Sequence, residues 1–490
     1  MLFKTETQGE EWELMFEKCF VLFVLSIKIF KFATIKALCL KERLTTFFTN
    51  SINIIFMKKF YSLFILFALV ASANAQQQEP VITLTYTADG TERELNFGSA
   101  VAEENIVSID WGDGTIVEAA KLVGVFDNYK VEAEAVTGTP KGEGKVKIYA
   151  TKPLNDFECT SNVKGTGVTA LDVSKATELV WLYANGNKLT ELDLSQNTKL
   201  NDVDLSNNLL TSVKLPSSVT KLNLQNNKFN GFDASALTNL TKLMLSQNKI
   251  VNLDLSHNTK LRDIYALNCE METLNLGNNT TAGLYVSVNN NNLKTLDLTA
   301  NTGLKTGRLF AMNNRLTELK YTEIKIANIS KNYFTLATLP TKNIKTLTYA
   351  PQEKLQIDET SKKTVDLSAQ SSVDGEATKF TWHKKDGTAL VAGTDYTEAN
   401  GVFTFLADHP EGVYCEMTNA KLPKFSGKNA FTTTLTKVTG TAGINAASVV
   451  NEGKVDIFTL DGKRVAAEWQ TLTPGVYVVR QAGKTMKVVK

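Results

Sequence analysis

Histidine is almost missing from this chain, with three residues in 490. His257, His383 and His409 lie in separate stretches, so the commonest general base and metal ligand is scarce. No H-E-x-x-H, G-x-S-x-G, Walker-type or C-x-x-C string occurs. Catalysis, a metal centre and a bound cofactor therefore have no support. Charge of one sign is also lacking: 53 Lys and Arg stand against 51 Asp and Glu. Without an excess or a run of basic residues there is no electrostatic case for nucleic acid or a membrane surface. Cysteine is sparse, and Cys159, Cys269 and Cys415, the three beyond residue 75, are odd in number and widely spaced. They imply no disulfide framework. The apolar run from Cys19 to Ile27 is broken by Lys28 and is too short to span a bilayer.

What remains is the composition of a folded protein, 43% hydrophobic and 21% charged, long enough for several domains. Its first local signal lies inside the chain. Met57, Lys58 and Lys59 form a basic start, Phe60 to Val70 is apolar, and Ala73-Asn74-Ala75 offers a small-x-small cleavage site before Gln76. An export signal works only at an N-terminus. Met57 is therefore read as the start, 57–75 as a signal peptide, and 1–56 as a mis-called upstream extension. Residues 1–75 hold nine Lys/Arg and six Asp/Glu, so the mature chain is close to neutral. No Cys follows the apolar stretch, which argues against a lipoprotein anchor, and the mature chain has no transmembrane segment.

Internal repetition dominates the middle. Leu179, Leu182, Ala184, Asn187 and Leu189 follow L-x-x-L-x-L-x-x-N-x-L. The frame returns at Leu200, Val203, Leu205, Asn208 and Leu210, and again at Leu240, Leu243, Leu245, Asn248 and Ile250. In the copy that starts at Leu261, Cys269 takes the Asn slot. Degenerate copies put the slot at Asn162, Asn227, Asn291, Asn314 and Asn332, with Gln352 a candidate for the last. A half-motif alternates with the frame: Leu192-Asp193-Leu194-Ser195, then Asn197, echoed from Leu253 and from Leu296. This is the leucine-rich-repeat pattern, about nine repeats of ~21 residues over 148–352. Each copy is one turn of a coil whose apolar face is buried only when turns stack. The Asn side chain is expected to satisfy backbone groups of adjacent turns that water cannot reach, a structural role.

The flanks read as β-structure. In 76–147, Val81 to Tyr86 alternates, and Asp110-Trp111-Gly112-Asp113-Gly114-Thr115 resembles the signature of PKD-like β-sandwich modules. Asp-Gly is also an ordinary hairpin turn, and calcium binding by Asp110 and Asp113 is the alternative. The module is expected to cap the repeat core. In 353–438, Phe380 and Trp382, then Gly412, Tyr414, Cys415 and Met417, resemble an immunoglobulin-like domain with a tyrosine corner but no second Cys. Residues 439–490 end in Gly475-Val476-Tyr477-Val478-Val479-Arg480 and resemble the C-terminal sorting domains of the Bacteroidetes type IX secretion pathway, abbreviated. An inactive β-hairpin module is the other reading. Gly165-Thr166-Gly167-Val168-Thr169-Ala170 matches a dinucleotide fingerprint, but it is read as a loop between half-repeats with no helix around it.

The expected fold class is mainly β, a leucine-rich-repeat solenoid flanked by small β-sandwich modules. The order of parts resembles secreted leucine-rich-repeat proteins of Bacteroidetes, and the internalins, whose members commonly adhere to host proteins or cell surfaces. The resemblance implies an exported binding protein on the outside of a Gram-negative cell. The frame places Asp156, Glu158, Trp181, Tyr183, Asp202, Asp204, Lys221, Asn223, Lys242, Met244, Asp263, Tyr265, Leu267, Tyr285, Ser287, Arg308, Phe310 and Met312 on the open side of the sheet. Large apolar residues on a wet face mark interaction sites. Trp181, Tyr183, Asp204, Met244, Tyr265, Tyr285, Phe310 and Met312 are the candidate ligand-binding residues. A host or bacterial surface protein is the expected partner. A glycan stacked on Trp181 and Tyr183 beside Asp202 and Asp204, or a passive scaffold presenting the 353–438 module, are the alternatives. Neighbouring modules folded across the face would remove the site. N-terminal sequencing of the exported protein should begin at Gln76; a start within 1–57 would refute the signal reading.

Overall fold

The computed structural model describes a β-architecture in which each turn of about 21 residues contributes a short strand. It describes residues 79–87, 89–122, 134–160, 167–440, 456–465, 472–473, 476–481 and 484–489. The signal segment 57–75 and the Asn162 slot lie outside them. Pro80–Lys490 forms one compact unit. Among the described residues the only helical pieces are three short 3-10 turns, and no helix is long and apolar enough to cross a membrane.

Ten parallel strands form the repeat sheet, running in space from Asp156–Glu158 through Trp181–Tyr183, Asp202–Asp204, Lys221–Asn223, Lys242–Met244, Asp263–Tyr265, Tyr285–Ser287, Arg308–Phe310 and Ile324–Asn328 to Ile344–Thr348. The central residues are in strict register: Phe157, Leu182, Val203, Leu222, Leu243, Ile264, Val286, Leu309 and Ala327 sit side by side. Each points inward and is at most 1% exposed. A strand alternates its faces with a period of two, so the residues on either side of each must point outward.

The asparagine slot holds this stack together. Asn208 donates through Nδ2 to the carbonyls of Ala184 at 2.9 Å and Leu205 at 3.0 Å, and its Oδ1 accepts from Leu189 N at 3.0 Å. One amide thus links a turn to the turn before it. Asn187, Asn227, Asn248, Asn291, Asn314 and Asn332 repeat the pattern. Gln352 does occupy the last slot: Nε2 donates to Ile329 O at 2.9 Å and Oε1 accepts from Asn332 N at 3.1 Å. Cys269 replaces the amide with a thiol 3.4 Å from Leu245 O. A second ladder on the half-motif was not foreseen. Asn197 donates to Val173 and Ala176, Asn258 to Ala234 and Leu237, and Asn301 to Gly277 and Asn279. The aspartate before each is a turn former, as where Asp193 Oδ1 accepts from Ser195 N at 3.0 Å.

Both ends of the sheet are closed. Arg93–Gly98 pairs antiparallel with Asp156–Glu158, bringing Phe97 within 5.5 Å of Phe157, and Glu134–Gly138 pairs outside it. The N-terminal module therefore continues the repeat sheet edge-on. Its other sheet takes in Val168–Asp172, which pairs antiparallel with Ile82–Tyr86. This corrects the loop expected for the end of the glycine fingerprint: Val168 to Asp172 is a strand of a cap. The expected boundary at 147 falls inside the strand Lys145–Ala150.

At the far end, Tyr349 packs edge-on against Phe425 at 5.0 Å, and Lys424 donates from N to the Tyr349 hydroxyl at 3.0 Å and from Nζ to Leu347 O at 2.6 Å. Beyond lies a three-stranded and a four-stranded antiparallel sheet with Trp382 fully buried against Phe403 and Phe405. The tyrosine corner is not made. Tyr414 is adjacent to buried Cys415 and so must face the opposite way; it stacks on His383 at 5.1 Å. Cys159, Cys269 and Cys415 are free, buried thiols. Residues 456–489 carry a small antiparallel sheet in which Asp456–Thr459 pairs with Val476–Gln481 and the latter with Lys484–Val489.

Replacing Asn208 with Ala orphans the buried Leu189 N–H, at roughly 1–3 kcal/mol, and leaves the carbonyls of Ala184 and Leu205 with one donor each, from Asn187 and Asn227. The variant should unfold several degrees lower in a thermal melt. An unchanged midpoint would show that the ladder is not what joins the turns.

Candidate ligand-binding face

The register turns the outward positions of the sheet into two parallel rows. One row reads Asp156, Trp181, Asp202, Lys221, Lys242, Asp263, Tyr285, Arg308, and the other Glu158, Tyr183, Asp204, Asn223, Met244, Tyr265, Ser287, Phe310. Seven of the eight candidates lie in these rows, and Met312 follows two residues after Phe310. All eight are half-buried and share one face. The flanking strands extend the sheet sideways: Asn96 stands opposite Glu158 and Gly98 opposite Asp156.

The candidates fall into two groups. Tyr265, Tyr285 and Phe310 form a continuous aromatic strip, with ring centroids 5.1 and 5.4 Å apart in sequence. Tyr285 is in one row and the other two in the second, so the strip zigzags across three neighbouring strands. Ser287, the small residue in line between Tyr265 and Phe310, is only 4% exposed beneath them. Lys242 Nζ sits 5.9 Å from the Tyr265 ring centre. Met244 precedes the strip and Met312 follows it, adaptable side chains at either margin.

Trp181, Tyr183 and Asp204 form the other group, at the N-terminal end. Asp204 Oδ1 accepts from Ser206 N at 2.9 Å and Oδ2 from Asn223 Nδ2 at 2.9 Å. Lys221 bridges to Asp202 at 3.1 Å. Burial, then the charges of Asp202, Asp156, Asp204 and Glu158, push the Tyr183 phenol well above its ordinary range. Asp156, left out of the candidate set, is the most perturbed acid here. Burial and then the neighbouring Glu158 push it up to about 6, and its Oδ1 is buried with no hydrogen-bond partner. The frame places it on the open side, but nothing local in the sequence marks an outward acid as one that is buried and unpaired.

Other expectations find their places. Asp110 Oδ1 accepts from Gly112 N and Gly114 N, both at 2.9 Å, and Asp113 accepts from Thr115 N and Lys141 Nζ. The string is a hairpin turn whose carboxylates are engaged by backbone and lysine. His257 is exposed on a turn beside Ser256, and His383 stacks on Tyr414. A polar depression of about 440 Å³ beside the face, near Asn268, Asn290, Asn313 and Tyr333, was not anticipated.

No protein-family model matches the chain, and no curated protein matches it. Forty-two chains of solved structures do. One is the functional domain of InlJ from Listeria monocytogenes, described as including a cysteine ladder, 21% identical at a TM-score of 0.39 over 58% of this chain and 67% of that one. The leucine-rich-repeat domain of APL1 is 19% identical at 0.30, over 47% of this chain and 60% of that one. The leucine-rich-repeat ectodomain of the plant membrane receptor kinase GASSHO1/SCHENGEN3 from Arabidopsis thaliana, in complex with Casparian strip integrity factor 2, is 15% identical at 0.25, over 41% and 27%.

Because the folded Asp156 carboxyl holds its proton to a higher pH than the ordinary 3.8, its ionisation costs stability that grows from about pH 3.8 and is complete above about pH 6. An Asp156→Asn variant should melt higher than the parent at pH 7.5. The gap should shrink as pH falls through 6 and vanish near pH 3.8. A gap independent of pH, or of opposite sign, would show that Asp156 is not held unpaired.

Proposed function

We propose that the chain is an exported binding protein that recognises a protein ligand through the open face of its repeat sheet. The observation that carries this is the strip Tyr265–Tyr285–Phe310, bordered by Met244 and Met312 on a face not covered by any described segment. Aromatic and Met side chains are enriched in the cores of protein interfaces, with charged residues at the rim, and Lys221, Lys242, Asp263 and Arg308 supply such a rim. Phe310 and the two methionines offer a sugar no strong hydrogen bonds, which favours protein over glycan. The export reading of 57–75 and the tail-like sheet at 456–489 support a secreted or outer-surface location on a Gram-negative cell. The β-module over 353–438 stands as a spacer or second contact point, and a surface protein of a host or another bacterium is the partner class.

The test is binding of the protein to arrays of extracellular matrix proteins, bacterial surface proteins and polysaccharides, beside a Tyr265→Ala/Tyr285→Ala/Phe310→Ala variant of matched circular dichroism. Hot-spot aromatics cost about 2 kcal/mol or more each on truncation, so a protein hit should weaken by well over tenfold. A protein hit kept by the variant would move the site off this face. A polysaccharide hit lost by it would change the ligand class.

A further inference from the structure

The two rings at the N-terminal end of the face are each bracketed by acids. In register, Trp181 lies between Asp156 and Asp202, and Tyr183 between Glu158 and Asp204. Neighbouring strands are about 4.8 Å apart, so each ring has a carboxylate on either side. Against these four charges stands, among the described residues, the paired cation Lys221 on Asp202. Glu158 is held by neutral donors, Thr160 Oγ1 at 3.1 Å and Asn96 Nδ2 at 3.5 Å, and Asp204 by Asn223 and a backbone N–H. Asp156 lacks even these for its buried Oδ1, and on the outer side its register partner is Gly98, which has no side chain to offer. An orphaned buried carboxylate oxygen in a native fold calls for a function or a missing partner.

Ring faces are electron-rich, and a cation held over them gains most where water is excluded. Uncompensated carboxylates on both flanks add the charge such a cation needs. The combination suits a guanidinium or ammonium group, and it is unsuited to an anion. At the other end the character reverses. The strip of Tyr265, Tyr285 and Phe310 is apolar, and it is flanked by Lys242, Arg308 and Asp263, the last already paired with Arg262 at 3.0 Å. Five strand steps separate Trp181 from Tyr285, about 24 Å at 4.8 Å each.

We propose that the face reads a protein segment in one orientation, with a Lys or Arg side chain seated among Trp181, Tyr183, Asp156 and Asp204 and an apolar cluster about 24 Å away on the Tyr285 strip. This rests on the protein-ligand reading above and adds the partner's chemistry to it. An incoming cation beside Asp156 offsets the charge of a carboxylate whose buried Oδ1 has no partner in the fold. Burial has already raised that carboxyl to about 6, so binding should tighten as pH rises through this value.

The probes are synthetic peptides in which Arg-Arg and Leu-Phe are separated by six Gly/Ser residues, a gap that spans roughly 24 Å when extended at about 3.3 Å per residue. Fluorescence anisotropy against the full chain gives affinity, and neutral oligosaccharides serve as competitors. The peptide should bind, with an affinity that falls with salt. It should weaken at least tenfold in an Asp156→Asn/Asp204→Asn variant and fail to bind when Glu-Glu replaces Arg-Arg. Both changes keep an acceptor oxygen in place, and Asp156→Asn removes an unfavourable charge, so the variant should fold. Equal binding of the Glu peptide, indifference to the double variant, or no peptide binding at all would overturn the proposal, as would displacement by a neutral oligosaccharide. If the acid variant is silent while the Tyr265/Tyr285/Phe310 variant still loses its array ligand, the cation seat falls and the protein-binding reading stands. If neither variant matters, both fall.

Discussion

A side-chain amide that donates to the carbonyl of one turn and accepts from the N–H of another is the contact on which this molecule depends. A strand of three residues has almost no pairing energy of its own, and a one-residue slip would exchange its faces. The slot residue fixes each turn relative to its neighbour, an Asn from Asn187 through Asn332 except where Cys269 stands in, and Gln352 completes the series. Leu and Val side chains supply the driving force by leaving water, but burial is non-directional. Register comes from the amides. Because register is strict, every side chain beside an inward Leu stands in one of two straight rows, and surface chemistry written into the sequence becomes a pattern in space.

This explains why so much was legible in the residues and where legibility stopped. The L-x-x-L-x-L-x-x-N frame located the strands, their inward faces and the eight candidate residues, because the period is local and repeated. Gln352 was recognisable as a slot residue since one extra methylene still lets an amide reach both turns. The second ladder at Asn197, Asn258 and Asn301 was visible only as a turn motif, for nothing in D-L-S-x-N says which carbonyls lie above it. The strand Val168–Asp172 was missed because its partners, Tyr86 to Thr83, are 82 to 89 residues away, and long-range pairing leaves no local trace. Tyr414 misled for a simple reason: a residue next to Cys415 cannot share its face.

Asp156 shows the same boundary at the site itself. The frame put it on the open face, yet only the fold reveals that Gly98 stands opposite, that Glu158 is beside it, and that its oxygen is buried without a partner. An acid in that state is costly to retain, and the cost is intelligible if a cation from outside completes it. The aromatic strip carries the complementary half of the argument, apolar where the first end is acidic. A face with two unlike ends favours one orientation of its ligand, which is a source of specificity that total buried area does not provide.

Site-specific photo-crosslinking addresses the central claim most directly. A benzophenone side chain placed at Met244, between the two ends of the face, is compared with one at Asp254 on the opposite side of the same solenoid turn, each presented to the protein ligand identified by array. Adducts from position 244 and none from 254 are expected. Adducts from position 254 alone would contradict the assignment of the open sheet as the binding face.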